Sequence, residues 1–357
     1  MLFYMPTKVC SEPGCVENHA KELASFGKRA MIVTGRNSAR KCGALQDVTA
    51  ALESAGCGYV IFDRVEENPS IETVMEARSI ALAEQVDFFI GIGGGSPMDA
   101  AKAICLMTAN PQEDETVFYT PITLPYLPVV CVPTTCGTGS ETTPYAILTR
   151  HALRTKKSIS HKIYPALALL DAKYLLSMSR TGLVNTCIDA LAHLLESYLN
   201  ANTNDLNRVC GREGLVVWGR FKDRLLSDQL QPQDYWDMLH ASMIAGMAIT
   251  HTGTSVPHGL SYTVTYELGI PHGRAVGMFL GGFVETYPDQ RDATEAVNLL
   301  GFGDTAAFHR YVTQILGEVS VAEDLLRKGA AGLLSDPGKL KNYPFPITED
   351  ALVNLAN

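Results

Sequence analysis

Residues 86–105 read VDFFIGIGGGSPMDAAKAIC, and few backbone paths satisfy them. The apolar run Phe88–Ile92 has the length of a buried strand. Gly93, Gly94 and Gly95 permit a close backbone approach, Ser96 can cap a helix, and Pro97 suits the first helical position. Strand, tight turn and helix in that order expose amides at a helix start, where an anion is attracted. Two familiar phosphate loops do not match. A Walker A loop ends in Gly-Lys-Ser/Thr, whereas Lys102 lies well inside the expected helix. The dinucleotide fingerprint GxGxxG follows a first strand, whereas this turn follows the fourth and ends in Ser96. Taken alone, the glycines are equally explained by a tight strand–helix turn with no ligand.

The surrounding rhythm places this turn in a larger pattern. Short apolar runs at Leu2–Met5, Ala30–Thr34, Tyr59–Phe62, Phe88–Ile92 and Pro128–Val132 alternate with helical patterns near 16–26, 38–55, 70–84 and 96–108, and 166–171 reads as a last strand. Continuous apolar strands alternating with helices predict a parallel sheet covered on both faces. After Asp171 the pattern changes to long helices, near 181–200, 205–229, 233–252, 275–287 and 305–317. The expected fold is an α/β, Rossmann-like dinucleotide-binding domain over 1–171 followed by an all-α domain over 172–357. Ligand sites commonly lie in clefts between domains.

Bulk properties narrow the function. A net charge of −9 over 357 residues, with no Lys/Arg run, argues against a nucleic-acid partner. No apolar stretch is long enough to span a membrane, and the N-terminus lacks a signal-peptide pattern. The nine cysteines are odd in number with no CxxC pair, which predicts reduced thiols in a cytoplasmic protein. Small molecules and protein partners are the ligands left.

A second loop, VPTTCGTGSETTPYAILT (132–149), also follows an expected strand. Thr134, Thr135, Thr138 and Ser140 offer hydroxyls to phosphate and ribose oxygens, although Ser/Thr clusters also cap their own turns. Two such loops at the ends of strands in one sheet fit a dinucleotide lying across its edge. In the helical half, TCIDALAHLLESYLN (186–200) places Asp189 and His193 four residues apart on one helix face. His258 and His272 follow, each before a glycine. One carboxylate with three imidazoles suits a divalent ion such as Fe²⁺ or Zn²⁺. Singly, each has an ordinary explanation: an exposed i,i+4 pair, or hydrogen-bonded core histidines. Glu196 shares the face of His193 as a ligand, a supporting partner or part of a solvated surface, and His240 and His251 read as structural or surface residues.

Taken in order, GGGSPMDAAK (93–102), PTTCGTGSE (133–141), IDALAHLLESY (188–198), and His258 and His272 with thirteen residues between them resemble the iron-dependent (group III) alcohol dehydrogenases. The likeness covers essentially the whole chain, and its architecture is shared with dehydroquinate synthase-like proteins. The resemblance implies metal ligands at Asp189, His193, His258 and His272. It also implies a pyrophosphate site at Gly94, Gly95 and Ser96, and a nicotinamide side at Thr134, Thr135 and Thr138. Asn68 would lie near the adenosine, and Lys156, or its neighbour Lys157, would be a basic cofactor contact. The activity implied is hydride transfer between NAD(P) and a small alcohol or aldehyde, the metal polarising the substrate oxygen, in a homodimer.

Three departures qualify the likeness. Where many members carry an Asp for the adenosine ribose, this chain has Gly35, with Arg36, Ser38 and Arg40 following. Loss of that carboxylate removes repulsion against a 2′-phosphate, as in the NADP-preferring, butanol-dehydrogenase-like branch, so NADP is expected over NAD. Cys136 and Cys187 replace a usual alanine and glycine near the expected site. Tyr262 stands where many members have a histidine thought to move a proton, so either Tyr262 relays it or water does. Other readings are a glycerol-1-phosphate dehydrogenase- or dehydroquinate synthase-like enzyme, which calls for a basic pocket not apparent here, and a metal-dependent phosphohydrolase, for which two dinucleotide-type loops would serve no purpose. A non-catalytic binding protein is disfavoured because all four candidate ligands are intact.

Overall fold

Apolar runs of the first half hydrogen-bond into a parallel sheet in the computed structural model, which describes residues 3–153 and 155–356. Among those residues the strands are β1 (Lys8–Ser11), β2 (Arg29–Thr34), β3 (Gly58–Phe62), β4 (Phe88–Gly93), β5 (Val129–Pro133), β6 (Ile147–Arg150), β7 (Thr155–Ser158) and β8 (Leu167–Leu170). Six of them form one sheet in the order β1-β8-β5-β4-β2-β3, and β6 pairs antiparallel with β7. β6 and β7, ILTR and TKKS, are too short and too mixed to read as strands in the sequence and were not anticipated.

Alternation along each strand sends side chains to two cores. Met31 and Val33 of β2 join Phe89 of β4 on one face, against α5 (Ile71–Ala83) and α6 (Gly95–Ala109). Ala30 and Ile32 join Phe88 and Ile90 on the other. There the cover is α1 (Cys15–Asn18), α2 (Ala20–Leu23), α3 (Ser38–Lys41) and α4 (Ala44–Ser54). Because β2 continues outward to β3 while β4 continues the opposite way to β5 and β8, the order reverses between β2 and β4. The loops after those two strands therefore flank the switch point, where open α/β sheets bind ligands.

The first strand differs from expectation. Leu2–Met5 is not a strand over its described residues: Phe3 stacks on His251 at 4.2 Å and the Tyr4 amide donates to His251 Nε2 at 2.9 Å. That aromatic end packs on a helix, and the less apolar KVCS segment takes the sheet edge beside β8, where half-exposure is tolerated. Met1, Leu2 and Asn357, at the ends of the two expected domains, lie outside the described residues.

The chain divides into a sheet unit, Met5–Thr135 with Ser140–Ser177, and a helical unit, Met1–Tyr4 with Cys136–Gly139 and Met178–Asn357. The helical unit contains α7 (Arg180–Tyr198), α8 (Asp205–Gly219), α9 (Lys222–Ser227), α10 (Pro232–Thr252), α11 (Val256–Leu268), α12 (His272–Glu285), α13 (Gln290–Leu299), α14 (Thr305–Leu316) and α15 (Glu323–Leu334), followed among the described residues by two short helices. α11 and α13 were not separated from their surroundings in the sequence. Nearly every residue of α7 is buried, with α8, α10 and α12 packed against it. The α7–α12 contact depends on glycine. A Cβ at Gly273 would meet the Asn185 carbonyl oxygen at 1.8 Å, and one at Gly277 would meet Ile188 Cγ2 at 2.6 Å.

Within the sheet unit, α6 carries a fully buried lysine. Lys102 Nζ donates to Ser140 O (2.7 Å), Ser140 Oγ (2.7 Å) and Tyr145 O (2.9 Å). Ser140 Oγ in turn donates to Asp99 Oδ1 (2.6 Å), and Asp99 Oδ2 accepts the Ile147 amide (2.9 Å). These bonds tie the segment after residue 139 and the start of β6 to α6. Removing a buried charge from such a set leaves its partners unsatisfied, so Lys102→Met should lower unfolding free energy by about 3 kcal/mol, read from the urea midpoint.

Glu141, next in the chain, is 1% exposed and its Oε1 has no hydrogen-bond partner. Burial pushes its carboxyl up to about 7, against the opposing effects of a backbone hydrogen bond and Lys102. A raised folded-state value means that the stability contributed is complete below the unfolded value of 4.5 and is lost as pH rises through about 7. Between those limits the wild type should lose about 3 kcal/mol relative to Glu141→Gln, measured by denaturant unfolding across the range.

Candidate metal centre and cofactor loops

A polar stripe runs down an otherwise apolar helix: Asp189, His193 and Glu196 lie on one face of α7, at i, i+4 and i+7, and all three are buried. Glu196 is fully buried, which corrects the solvated-face reading; burial likewise rules out Asp189 and His193 as an exposed pair. His258 sits in the first turn of α11, and His272 is the first residue of α12. The close approach at Gly273, whose added Cβ would lie 3.2 Å from Asp189 Cβ, sets His272 beside α7.

Ligand atoms of Asp189, His258 and His272 lie within 4.8 Å of one another. Asp189 Oδ1 is 3.4 Å from His258 Nε2 and 3.7 Å from His272 Nε2. In a tetrahedral N/O metal site, neighbouring donors are about 3.3 Å apart, so these separations suit a shared ion. Asp189 Oδ1 and His258 Nε2 are also buried with no hydrogen-bond partner, a costly arrangement unless a cation takes both. The fourth expected ligand, His193, is outside this closest set. Its ring stacks on His258 at 4.4 Å, and its Nδ1 donates to the Gly137 carbonyl at 3.2 Å, which leaves Nε2 as the acceptor nitrogen. Tyr262, one turn beyond His258 on α11, lies parallel to the His272 ring with centroids 6.0 Å apart.

The supporting groups are as specific as the candidate ligands. His258 Nδ1 donates to Glu196 Oε2, and Glu196 Oε1 accepts the Ser255 amide (3.0 Å) and the His258 amide (3.1 Å). The carboxylate thus fixes the imidazole and serves the N-terminus of α11, where the Ser255 side chain makes no cap. Its signal was present in the sequence, as the third polar residue of the stripe. Burial opposes charge throughout the cluster, but His193, His258 and His272 still hold Asp189 well below the usual carboxylate range. For His258, Glu196 and Asp189 outweigh burial and raise the imidazole to about 10. Burial dominates at His193 and lowers it to about 4, while His258 keeps Glu196 low despite burial. Cys136 and Cys187 are neighbours, with Sγ atoms 3.7 Å apart, and Cys136 Sγ lies 3.4 Å from Thr186 Oγ1.

In the sheet unit, β4 and β5 end side by side, Gly93 paired with Pro133, and the Thr134 amide donates to Gly93 O at 2.8 Å. Gly93 has φ +149°, and a Cβ there would meet Pro97 Cγ at 2.7 Å, so turn and helix packing both demand glycine. The helix starts two residues earlier than the capping residues predict: Gly94 is the N-cap, and Pro97 is the third helical residue rather than the first. Ser96 does not cap it; its Oγ accepts the Asn68 amide at 3.0 Å. Asn68 adopts φ +60° and accepts Lys156 Nζ on Oδ1 at 2.7 Å. Three separated residues, Asn68, Ser96 and Lys156, therefore meet; Lys157 Nζ instead lies 5.6 Å from the centre of the Tyr119 ring. Thr134 is buried with Oγ1 unpartnered, and the Thr135 side chain is the nearest neighbour of a Cβ placed on Gly94, at 3.2 Å. Thr138 belongs to the segment grouped with the helical unit. Gly35 is half-buried just after β2, Arg36 and Ser38 are exposed, and Arg40 pairs with Asp63 at 2.9 Å.

Comparison with known proteins agrees with this layout. A family model described as iron-containing alcohol dehydrogenase matches residues 6–172, and one described as Fe-containing alcohol dehydrogenase family, C-terminal, matches 183–327. The chain is similar to a mitochondrial hydroxyacid-oxoacid transhydrogenase of Caenorhabditis elegans, 31% identical over 67% of this chain and 57% of that protein. It therefore spans little more than half the length of that relative. Similarity extends to an NADPH-dependent butanol dehydrogenase of Clostridium saccharobutylicum, 27% identical over 78% of this chain and 72% of the other. Among solved structures, an iron-containing alcohol dehydrogenase of Thermotoga maritima superposes with a TM-score of 0.91 at 34% identity, covering 99% of this chain and 98% of that one. With both halves matched in order and the fold shared throughout, the chain belongs to the iron-containing alcohol dehydrogenase family.

Proposed function

We propose that the chain is a metal-dependent alcohol dehydrogenase or aldehyde reductase that moves a hydride between NAD(P) and a small alcohol or aldehyde. The observation that carries this reading is the buried, unpartnered pair Asp189 Oδ1 and His258 Nε2, 3.4 Å apart with His272 Nε2 beside them. A divalent ion, Fe²⁺ or Zn²⁺, supplies Lewis acidity toward the substrate oxygen when bound, and the nicotinamide supplies the hydride acceptor or donor. Asp189, His193, His258 and His272 are the proposed ligands. Asp189 brings the negative charge, Glu196 orients His258, and the Gly137 carbonyl fixes the tautomer of His193. Tyr262, parallel to His272, is the proposed proton relay.

For the cofactor, the backbone of Gly94, Gly95 and Ser96 at the start of α6 is suited to the pyrophosphate. Asn68 and Lys156 form the adenosine side, and Thr134, Thr135 and Thr138 the nicotinamide side. Gly35 and Ser38 would line the adenosine ribose, where the missing carboxylate would leave a 2′-phosphate unopposed, so NADP is favoured and NAD is the weaker cofactor. The family resemblance supports a homodimer. Among the described residues no helix is long and apolar enough to cross a membrane, and the nine cysteines are all free, which supports a reducing, cytoplasmic setting.

The metal assignment predicts that Asp189→Ala and His258→Ala lose bound metal and turnover together, measured by metal analysis and by NADPH absorbance with a panel of aldehydes and oxoacids. Wild-type protein that keeps full turnover after exhaustive chelation overturns it. Glu196→Gln should weaken metal affinity by about 10- to 100-fold while leaving the fold intact. At Gly35 a Cβ meets only Val65 O, at 3.3 Å, so an aspartate is accommodated with a small adjustment. Gly35→Asp should therefore move the NADP/NAD ratio of kcat/KM toward NAD by about tenfold, equivalent to about 1.4 kcal/mol; an unchanged ratio refutes the NADP reading.

A further inference from the structure

A second group of ligand-type side chains lies in the sheet unit, apart from the helical-unit residues described above. Cys10 is on edge strand β1, His19 joins α1 to α2, and Glu22 is on α2. A cysteine sulfur, an imidazole nitrogen and a carboxylate oxygen from these residues all lie within 4.8 Å of one another. The individual separations decide between a hydrogen-bonded cluster and a metal site. Cys10 Sγ is 3.7 Å from His19 Nδ1, and His19 Nδ1 is 3.3 Å from Glu22 Oε2. A good N–H···O bond is about 2.9 Å long, and 3.3 Å is poor for one. In a tetrahedral zinc site, bonds of about 2.3 Å to sulfur and 2.0–2.1 Å to nitrogen and oxygen put N–S edges near 3.6 Å and N–O edges near 3.3 Å. Both measured edges match.

The imidazole is also held as a ligand would be. His19 Nδ1 faces Cys10 and Glu22, while Nε2 lies 3.2 Å from Glu12 Oε1. A carboxylate on the second ring nitrogen fixes the ring and makes the first nitrogen a better donor to a metal. Side-chain exposures of 24% for His19 and 31% for Glu22 leave a route for an ion and room for water as fourth ligand. One competitor is present: Lys8 Nζ donates to both Glu22 oxygens, at 2.8 Å to Oε1 and 2.7 Å to Oε2. Lys8 is exposed, on a flexible side chain, and an ion pair of that kind is worth little in water.

We propose that Cys10, His19 and Glu22 form a second, thiolate-containing site for a zinc-type divalent cation, oriented by Glu12 and pinning edge strand β1 to the α1–α2 turn. Binding releases the Cys10 thiol proton to solvent, and water completes the tetrahedron. The proposal is independent of the function assigned to the helical unit, whose candidate ligands include no sulfur.

That difference supplies the test. The His258→Ala protein, stripped of metal and kept reduced, is titrated with Co²⁺. A near-ultraviolet sulfur-to-cobalt charge-transfer band should grow to one equivalent, and the same band should appear in the wild type. Cys10→Ser should abolish it in either background, and His19→Ala should weaken Co²⁺ binding at least tenfold. Lys8→Ala should tighten binding by about twofold to fivefold, the value of an exposed ion pair. One equivalent of Zn²⁺ should raise the Tm of His258→Ala and leave the Cys10→Ser/His258→Ala protein unchanged, with thermal melts confirming that each variant is folded. No band in the wild type, or a band that survives Cys10→Ser, overturns the site. Wild-type protein that shows the band but no turnover tells only against the helical-unit reading.

Discussion

Two atoms without partners, Asp189 Oδ1 and His258 Nε2, set the terms for the helical unit. Burying a carboxylate costs several kcal/mol, and here Asp189 and Glu196 are both ionised and buried within contact of one imidazole. At 3.4 Å and an effective dielectric of 20, unit charges of opposite sign attract by about 5 kcal/mol, so one positive charge repays much of that cost. In the metal-free cluster the imidazolium proton on His258 supplies it. Yet that proton leaves the Nε2–Oδ1 contact too long for a good hydrogen bond. Two charges at metal-ligand spacing are better compensated by a divalent ion than by a proton.

The cluster depends on packing as much as on chemistry. His272 reaches Asp189 only because α12 begins where Gly273 lets its backbone touch α7; any side chain there would enter the Asn185 carbonyl. His258 is placed by the first turn of α11, and Glu196 secures that turn by accepting the Ser255 and His258 amides. One carboxylate therefore couples helix start, ring orientation and charge. A mutation anywhere in this set acts on all three, which is why a conservative change at Glu196 is more informative than removal of a ligand.

Much of this was legible before any coordinates. Five of the six sheet strands announce themselves as apolar runs, and the stripe Asp189, His193 is visible at helical spacing. β1 was misplaced because the more apolar candidate, Leu2–Met5, finds an aromatic partner in His251, whereas the edge of a sheet accepts the mixed sequence KVCS. β6 and β7 were missed because their polar residues carry no alternating pattern. The sequence leaves Glu196 open between ligand, supporting partner and solvated face, because periodicity reports which face a residue is on, not whether that face meets water. Lys102 gave a usable sign, a lysine inside the apolar segment AAKAICLM, but its three acceptors come from positions 38 and 43 residues away, beyond any local pattern.

The two units differ in how recognition is encoded. In the helical unit the side chains are unspent: carboxylate oxygen and imidazole nitrogen are buried and waiting, so residue type alone identifies the candidates. In the sheet unit most polar side chains of the candidate loops are already committed to one another. Ser96 takes the Asn68 amide, Asn68 takes Lys156, and Thr149 Oγ1 donates to the Asn68 carbonyl. What is left for an anion is mainly backbone, the first amides of α6 that no intrahelical carbonyl can satisfy, and one unpartnered hydroxyl, Thr134 Oγ1. Backbone recognition leaves no signature in side-chain chemistry. It is recorded only in the residues that let the backbone come close, which is why the glycines after β4 say more about a ligand than any hydroxyl near them.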